Sequence, residues 1–348
     1  MTDISARKAD HLDLATSGDV GFRARTTLFE CVELVHDALP ELDLASVDTS
    51  TTLFGKRLRA PILIAGMTGG TARAERINKE LAAIAEERGY AFGLGSQRAM
   101  LKNPASLSTY TVRDVAPGAL VLGNLGVVQA SKLRTEEVRG LCAAVGADAL
   151  CVHLNPAMEL IQIDGDRDFR GGLDTLERLT RELSLPVVVK ETGCGLSPSV
   201  AERLKTRGIR HVDVSGAGGT SWVAVEMHRA PEAGRALGAT FRDWGIPTAA
   251  SVLMVARHGF ETIFATGGVR DGLDVAKAIA LGASAGGLAR SSLQALEAGG
   301  RAAALAFFER VEAELRTAML LVGARDLAAL RQVPRLLRGE LVAWAGLA

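Results

Sequence analysis

The sequence lacks the features that mark secreted, membrane-spanning or nucleic-acid-binding chains. Its four cysteines show no Cys-x-x-Cys spacing, and it opens with charged residues instead of an apolar signal segment. No uninterrupted apolar run approaches the ~18 to 20 residues that span a bilayer. Lys plus Arg and Asp plus Glu balance at 40 each, so no overall field attracts nucleic acid or an anionic membrane. These absences predict a protein of the reducing cytoplasm with no nucleic-acid and no membrane partner.

Apolar residues make up 48% of the 348 residues, and 38 glycines accompany them, which is typical of a large α/β domain with tight turns. Short apolar segments alternate with helical patterns along the chain. Eight strands are predicted at 61–67, 90–95, 119–122, 149–154, 185–190, 209–214, 261–266 and 283–288. Helices are predicted after the first strand and at about 135–145, 173–183, 198–207, 247–258, 271–281 and 294–322.

This alternation favours a TIM (β/α)8 barrel over a doubly wound sheet, with an N-terminal extension and C-terminal helices. The predicted parts are an N-terminal arm packed on the barrel (1–60), the barrel itself (61–325) and a C-terminal helical tail (326–348). The arm contains the basic pair Arg7-Lys8 followed by His11. Such a pair is most often just a solvated helix end.

Polar residues follow the predicted strands at the end where a TIM barrel has its active site. Any one of them could be a structural cap, but as a set they predict a site. They are Thr68, Ser96, Gln97, Arg98, Asn124, His153, Asn155, Lys190, Glu191, Ser215 and Thr220.

The stretch 262–290 predicts strand, glycine turn, helix and strand, with Gly267-Gly268 in the turn and Ala289-Arg290 after the second strand. In a TIM barrel the loops after the seventh and eighth strands often bind phosphate through backbone N–H groups and a helix N-terminus. We expect an arginine to complete this site. The alternative is a plain βαβ turn without a ligand, because Gly-Gly turns are common.

Lys190 ends an otherwise apolar strand, so its ammonium group is expected at the rim of the barrel with its stem in the core. A cation in that position needs an anionic partner. A reduced flavin is one candidate and Glu191 is the structural alternative.

Several motifs together resemble the FMN-dependent, type 2 isopentenyl diphosphate isomerases. They are RKADH at 7–11, AGMTGG at 65–70, GSQR at 95–98, HLN at 153–155, GDRDF at 165–169, VKETGCG at 189–195, DVSGAGGTSW at 213–222 and TGGVRDGLD at 266–274. The resemblance extends from the arm to about residue 325. DVSGAGGTSW and the basic arm are its most specific parts, whereas the Gly-Gly loop is shared with many FMN barrels.

The resemblance implies interconversion of isopentenyl diphosphate and dimethylallyl diphosphate with reduced FMN and Mg²⁺, and NADPH as the reductant. It also implies a homo-oligomer, a tetramer or octamer. FMN is expected at Gly66, Met67, Thr68, Ser96, Asn124, Lys190, Ser215, Thr220, Gly268, Val269, Arg270, Ala289 and Arg290. The prenyl diphosphate is expected at Arg7, Lys8, His11, Ser96, Arg98, His153, Asn155 and Gln162, with Glu159 on the metal and Gln162, Glu159 and His153 as the catalytic residues.

One position departs from the family pattern, in which a glutamine precedes the metal-binding glutamate and is proposed to relay a proton. Here Met158 precedes Glu159, and a thioether cannot relay protons. If Pro156 begins a helix, Gln162 lies one turn beyond Met158 on the same face. Our hypothesis is that Gln162 takes the orienting role; the alternative is that it only caps the loop at 164–168.

Two other functions remain open from the sequence. The first is an FMN oxidoreductase, such as a 2-hydroxy acid oxidase or a nucleotide dehydrogenase. The hydroxy acid class would need a histidine base and an arginine after the seventh strand, where this chain has Thr266-Gly267-Gly268, and the nucleotide class would need a cysteine in the loop after the sixth. The second is a catalytically silent flavin-binding module.

Overall fold

The computed structural model describes residues 4–347, without the side chains of residues 4–7, 9 and 17. Its strands are β1 (Val32–Leu34), β2 (Thr51–Leu53), β3 (Lys56–Leu58), β4 (Ile62–Ile64), β5 (Ala91–Gly93), β6 (Leu120–Gly126), β7 (Ala149–His153), β8 (Val187–Lys190), β9 (His211–Asp213), β10 (Thr262–Ala265), β11 (Ala285–Leu288) and β12 (Arg335–Leu337).

The α-helices alternate with the strands over most of the chain. They are α1 (Ile4–Ser17), α2 (Ala72–Arg88), α3 (Arg98–Lys102), α4 (Val127–Ser131), α5 (Thr135–Ala144), α6 (Pro156–Ile161), α7 (Gly172–Glu182), α8 (Pro198–Thr206), α9 (Trp222–Arg229), α10 (Glu232–Phe241), α11 (Thr248–Ala256), α12 (Gly272–Ala280), α13 (Arg290–Leu321), α14 (Leu327–Leu330) and α15 (Glu340–Ala345). Non-helical backbone at Gly299 and Gly300 interrupts α13.

Strands β4 to β11 form a closed barrel in which every neighbouring pair is parallel. The last strand closes on the first, with Leu288 opposite Ile64. The eight predicted strands and the TIM-barrel fold are therefore confirmed. Among residues 4–347, no helix is long and apolar enough to cross a membrane.

The interior of the barrel is filled by apolar side chains from alternate positions of its strands. Leu63, Leu122, Val188 and Phe264 belong to this cluster. The hairpin of β2 and β3 closes the amino-terminal end of the barrel with side chains that include Leu58. Because the floor is packed, a ligand can enter only from the carboxyl ends of the strands.

The same alternation brings polar side chains to the top of the interior. Leu122, Cys151 and Val188 belong to the internal apolar cluster. Two residues further along the same strands come Asn124, His153 and Lys190, which share that face because side chains alternate along a strand.

The two ends of the chain lie on the outside of the barrel. Strand β1 pairs with β12, so that Val32 lies opposite Leu337, and α1 contacts α9 and α13. The segment 326–348 was predicted to be a helical tail, but β12 separates α14 from α15 within it. Helices α9 and α10, which lie between β9 and α11, are also not among the predicted helices.

Candidate active site at the carboxyl ends of the strands

A cavity of about 510 Å³ opens at the carboxyl ends of the barrel strands. Sites for small molecules and cofactors enclose ~300 to 1,000 Å³, so this volume is suitable for either. The side chain of Arg7 lies outside the described residues. All the other residues predicted to bind FMN, the substrate or the metal line the cavity: Lys8, His11, Gly66, Met67, Thr68, Ser96, Arg98, Asn124, His153, Asn155, Glu159, Gln162, Lys190, Ser215, Thr220, Gly268, Val269, Arg270, Ala289 and Arg290. Gln97 and Glu191 also belonged to the polar set predicted at the strand ends, but they are not part of this lining. Gln97 donates to the Leu141 carbonyl and accepts from the Asn124 N–H, and Glu191 accepts from the N–H groups of Thr192 and Cys194.

The part of the cavity wall at the start of α13 offers unpaired hydrogen-bond donors. The hydroxyl oxygen of Ser291, in the first turn of α13, is buried and has no hydrogen-bond partner among the described residues. The first N–H groups of a helix also lack intrahelical partners. A buried hydroxyl without a partner is costly unless a ligand or water accepts its proton. These donors therefore fit an anionic group such as the phosphate of FMN.

The two predicted arginines at this end make contacts with the protein itself. Arg290 donates from Nε to the carbonyl of Ala15 at 2.8 Å and from Nη2 to that of Gly18 at 2.9 Å. The side chain of Arg270 is 68% exposed and pairs with Asp274 at 3.4 Å. Arg290 thus binds the N-terminal arm to the start of α13. The donors that this wall offers to an anion are therefore the Ser291 hydroxyl and backbone N–H groups.

Lys190 forms a buried ion pair at the top of the barrel interior. Its Nζ lies 3.0 Å from Oδ2 of Asp213 and donates to Oγ1 of Thr266 at 3.3 Å. The other carboxylate oxygen of Asp213 accepts from Thr266 Oγ1 at 2.6 Å and from the Ser215 N–H at 3.2 Å. The protein partner of Lys190 is therefore Asp213 on the neighbouring strand, and not Glu191 as the structural alternative predicted.

His153 enters the cavity as a neutral imidazole. Burial lowers its pKa to about 4, and the positive charges of Lys190, Arg98 and Lys8 act in the same direction. Its Nδ1 lies 2.8 Å from Oδ1 of Asn124, whose amide nitrogen donates to the carbonyl of Leu94 at 3.0 Å. Because Asn124 presents its oxygen, Nδ1 of His153 is the donor, and Nε2 keeps its lone pair.

Glu159 is a buried carboxylate beside the predicted diphosphate cations. Its Oε1 accepts from the Asn155 amide at 3.0 Å, and its Oε2 accepts from the Asp166 N–H at 2.8 Å. Nη1 of Arg98 lies 3.8 Å from Oε1 of Glu159. The described residues contain no cluster of three or more His, Cys, Asp or Glu side chains that could hold a metal by itself. A single carboxylate suits Mg²⁺, which usually takes only one or two together with phosphate oxygens.

Met158 and Gln162 lie one helical turn apart on the cavity wall. Pro156 begins α6 as predicted, and the N–H of Gln162 donates to the Met158 carbonyl at 3.0 Å. Gln162 is 5% exposed. The backbone carbonyl of Gln162 binds the neighbouring loop, because it accepts from the Gly165 N–H and from Nη2 of Arg167. In the described part of the chain, its side-chain amide makes no hydrogen bond to that loop.

The N-terminal arm covers one side of the cavity. Nζ of Lys8 donates to the Ser96 carbonyl at 3.0 Å and to the hydroxyl of Tyr110 at 2.5 Å. Nε2 of His11 lies 2.8 Å from Oε1 of the buried Glu226. The His11 ring also makes an edge-to-face contact with Trp222, with their centroids 5.3 Å apart.

Four residues of this site are not evident from the sequence pattern. Asp213 and Trp222 lie within the DVSGAGGTSW motif, but their partners are on other elements. Glu226 comes one helical turn after Trp222, a spacing that could have predicted a shared face. Ser291 directly follows the predicted Ala289-Arg290 pair. A search for hydroxyls in the first turn of the next helix could have found it.

The sequence matches the FMN-dependent dehydrogenase family over residues 2–154 and 157–336. It is 43% identical over 342 residues to the isopentenyl-diphosphate delta-isomerase of Methanothermobacter thermautotrophicus, covering 98% of this chain and 95% of the relative. It is 45% identical over 350 aligned positions to the enzyme of that name in Halobacterium salinarum, covering 97% and 95%.

Solved structures of mandelate oxidase have a similar fold. A variant with a monooxide FMN adduct matches with a TM-score of 0.67 at 21% identity, over 94% of this chain and 95% of that one. The complex of mandelate oxidase with (S)-2-phenylpropionate matches with a TM-score of 0.66 at 21% identity, over 97% and 99%. At this identity the likeness concerns the barrel and not the reaction.

Proposed function

The chain belongs to the isopentenyl-diphosphate delta-isomerases of the FMN-dependent family, and we propose that it interconverts isopentenyl diphosphate and dimethylallyl diphosphate with bound reduced FMN and Mg²⁺. The observation that carries this proposal is that one cavity combines two sets of anion-binding groups. One set is the Ser291 hydroxyl with the N–H groups of the first turn of α13. The other is Lys8, Arg98 and His153, with the Glu159 carboxylate beside it.

The first set suits the phosphate of FMN, and Lys190, Asn124 and the backbone at 66–68 suit the polar edge of its ring. When bound, reduced FMN supplies an electron-rich ring and an exchangeable proton. The residues around it position the ring and limit access of water. The reaction moves a proton from one carbon to another without net electron transfer, so reductant is needed only to keep the cofactor reduced.

The second set suits the diphosphate of the substrate. A diphosphate carries up to three negative charges, and Lys8 and Arg98 supply fixed positive charge. His153 contributes the Nε2 lone pair, which can take a proton shared with a phosphate oxygen. Glu159 completes the set as the one carboxylate that would hold Mg²⁺ against the phosphates. The arm residues Arg7 and His11 belong to the same proposal.

Gln162, Glu159 and His153 are proposed to act nearest the reacting atoms. The buried Gln162 on the cavity wall supports an orienting role, because an amide can donate one hydrogen bond and accept another. Met158 can only pack against the hydrocarbon part of the substrate.

No observation favours an oxidoreductase over the isomerase. The loop after β10 contains Thr266-Gly267-Gly268 and no histidine base, and the loop after β9 has the SGAGGTSW sequence in place of a cysteine. Mandelate oxidase shares the fold at 21% identity, whereas the named isomerases share 43% to 45% over nearly the full length.

Three further points belong to the proposal through family membership. NADPH is proposed as the reductant, a homo-oligomer (tetramer or octamer) as the assembly, and the cytoplasm as the location. Anaerobic bleaching of the flavin spectrum by NADPH tests the first. Light scattering on the purified protein tests the second.

The function is tested by purifying the protein and assaying isomerisation of isopentenyl diphosphate with FMN in its oxidised and chemically reduced states, with and without Mg²⁺. We expect turnover only with both reduced FMN and Mg²⁺. We also expect Glu159→Gln to lose at least ~100-fold in kcat/KM at ordinary Mg²⁺ while the visible spectrum of bound FMN is retained.

Glu232→Gln on the exposed surface of α10 is the matched control for loss of one carboxylate. Absence of isomerisation by a flavin-loaded, reduced and Mg²⁺-supplemented protein overturns the proposal. Oxidation of a 2-hydroxy acid by the same preparation would assign it to the oxidoreductases instead.

A further inference from the structure

The ion pair between Lys190 and Asp213 is one of the most enclosed charge contacts of the molecule. Residue Asp213 is 1% exposed, and the Lys190 side chain is 12% exposed. The two lie opposite each other in the ladder between β8 and β9. The pair is part of the cavity wall through Lys190, so its charges act on whatever the cavity holds.

Both oxygens of the Asp213 carboxyl group have partners in the protein. Oδ2 faces Nζ of Lys190, and Oδ1 accepts from the Thr266 hydroxyl and the Ser215 N–H. Hydrogen bonds and a nearby cation are the partners that a buried carboxyl group needs. The wall at this point therefore carries a positive group and a negative group together.

Two of the titratable groups near this pair, His153 and Cys151, are neutral at pH 7. His153, opposite Lys190 in the ladder between β7 and β8, has its pKa lowered to about 4 by burial and is neutral. Burial and the charge of Asp213 raise the pKa of the Cys151 thiol to about 12, so it is also neutral. Glu191, the next residue after Lys190, is not part of the described cavity lining, and its carboxyl group accepts from the N–H groups of Thr192 and Cys194.

We propose that Asp213 lowers the reduction potential of bound FMN by offsetting the positive charge of Lys190. A lone lysine beside the flavin would favour its reduced, negatively charged form. Oδ2 of Asp213 lies 3.0 Å from Nζ of Lys190. Lys190 therefore still positions the ring by hydrogen bonding, but its net electrostatic effect on the flavin is smaller. The reduced ring stays electron-rich, which serves a reaction in which it gives and takes a proton and passes no electrons on. This inference rests on the proposed binding of FMN.

The test is the midpoint potential of bound FMN, measured by dye equilibration in the wild-type holoenzyme and in Asp213→Asn. Asparagine keeps the size and one acceptor oxygen but removes the negative charge. We expect the equilibrium constant for two-electron reduction to rise at least tenfold, which is ~30 mV. If Asp213 only held Lys190 in place, its loss would leave the potential unchanged or lower it, and either result overturns the inference.

Three further variants keep the test decisive. Asp213→Glu retains the charge and is expected to stay within threefold of the wild type. Lys190→Met leaves Asp213 without its cation and is expected to lower the equilibrium constant. The double variant Lys190→Met/Asp213→Asn lacks both charges, and its equilibrium constant for reduction is expected to return toward the wild-type value. If that constant is no nearer to the wild-type value than the constant of Lys190→Met, the electrostatic account is contradicted.

If Asp213→Asn does not fold by itself, comparison of the double variant with Lys190→Met still decides the sign of the effect of Asp213. Failure of the wild-type protein to bind FMN overturns the proposed function and this inference with it. If the wild type binds FMN but the equilibrium constant for its reduction does not rise in Asp213→Asn, this inference alone is overturned.

Discussion

Met158 and Gln162 pose the main residue-level question about proton handling. They occupy successive turns at the cavity wall, the first with a thioether and the second with a buried amide. Only the amide can donate and accept hydrogen bonds at once. The loop beyond α6 is tied down by the backbone carbonyl of Gln162, so the side chain is available for another role.

We expect Gln162→Leu to lower kcat at least ~100-fold with little change in bound FMN or in the Mg²⁺ concentration needed, as for loss of a proton-transfer group. Leucine has a similar volume, so the wall stays filled. Steady-state kinetics across a Mg²⁺ titration, with the flavin content measured for each variant, check this result.

Gln162→Glu is the control that keeps hydrogen bonding. Near-normal kcat in Gln162→Leu would contradict the orienting role. Met158→Gln addresses the departure from the family pattern: a rise in kcat would show that the thioether limits this reaction, and a prenyl-type substrate other than isopentenyl diphosphate would then deserve assay.

At the residue scale the sequence predicted most of the side chains that surround the cavity, although Gln97 and Glu191 are not among them. It did so because parallel strands end in the same layer of a barrel. It did not predict their pairings. Lys190 and Asp213 are neighbours only because β8 and β9 align with that register. Nothing local to VVVK distinguishes Asp213 from Glu191 as the partner of its lysine. The turn that follows Lys190 makes Glu191 accept the N–H groups of Thr192 and Cys194.

At the scale of elements, the loops after β9 and β10 are interlocked through glycines. A Cβ on Gly267 would lie 2.1 Å from the Gly216 carbonyl oxygen, and one on Gly219 would lie 2.4 Å from the Gly268 nitrogen. Gly267 also has φ of +96°, which disfavours any other residue. The Gly-Gly pair is therefore required by packing between loops as well as by the cavity.

We expect Gly267→Ala to reduce the free energy of unfolding by at least ~3 kcal/mol, because backbone strain and a steric clash act together. Gly259→Ala is the matched control, since Gly259 has φ of +67° and nothing within 4 Å of a Cβ. We expect that control to cost about 1 to 2 kcal/mol from strain alone. Urea unfolding of both variants measures the difference, and equal costs would show that the two loops can separate.

The loop after β8 depends on a buried carboxyl group. Glu191 is 6% exposed, and burial raises its pKa to about 7, although the N–H groups of Cys194 and Thr192 oppose the shift. The folded chain therefore binds a proton more tightly than the unfolded chain, whose glutamate titrates near 4.5. Stability from this group is complete below pH 4.5 and is lost as the pH rises through about 7.

We accordingly expect the wild-type free energy of unfolding to fall between pH 5 and pH 8 by up to about 3 kcal/mol from this group. Glu191→Gln should flatten that fall, because an amide does not titrate. Urea unfolding at both pH values measures it, with Glu202→Gln on the exposed face of α8 as a control for charge removal. A fall in Glu191→Gln as steep as in the wild type would assign the pH dependence to other groups.

Elements differ in how well the sequence predicts them. The barrel strands are apolar segments bounded by glycine and polar residues, so the sequence pattern was sufficient to predict them. Helix α10 contains Gly234 and Gly238, which weaken helix propensity. Gly238 packs where a Cβ would lie 2.7 Å from Cβ of Met227 on α9, so this helix depends on tertiary contact. The pairing of β1 with β12 joins residues about 300 positions apart, and no local signal marks it.

At the scale of the whole molecule, the cavity is built from the ends of many strands, so a ligand bound there stabilises the entire barrel. A ligand present at 100 times its Kd adds about 2.7 kcal/mol to the free energy of unfolding if it binds only the folded chain. The wall at α13 is the one place proposed here for a flavin phosphate, and no adenine-binding glycine fingerprint adjoins it in the sequence. We expect FMN to raise the melting temperature of the flavin-free protein clearly, riboflavin to raise it less, and FAD to raise it no more than riboflavin does.

The difference between the increases in melting temperature caused by FMN and by riboflavin measures the contribution of the phosphate alone. We expect Ser291→Ala to narrow that difference, because the buried Ser291 hydroxyl has no partner among the described residues and is free to donate to a phosphate oxygen. Ser292→Ala is the matched control, since its hydroxyl already donates to the Leu288 carbonyl at 3.3 Å. A difference unchanged in Ser291→Ala would mean that backbone N–H groups alone hold the phosphate, and stabilisation by FAD equal to that by FMN would show that the cavity admits a second nucleotide.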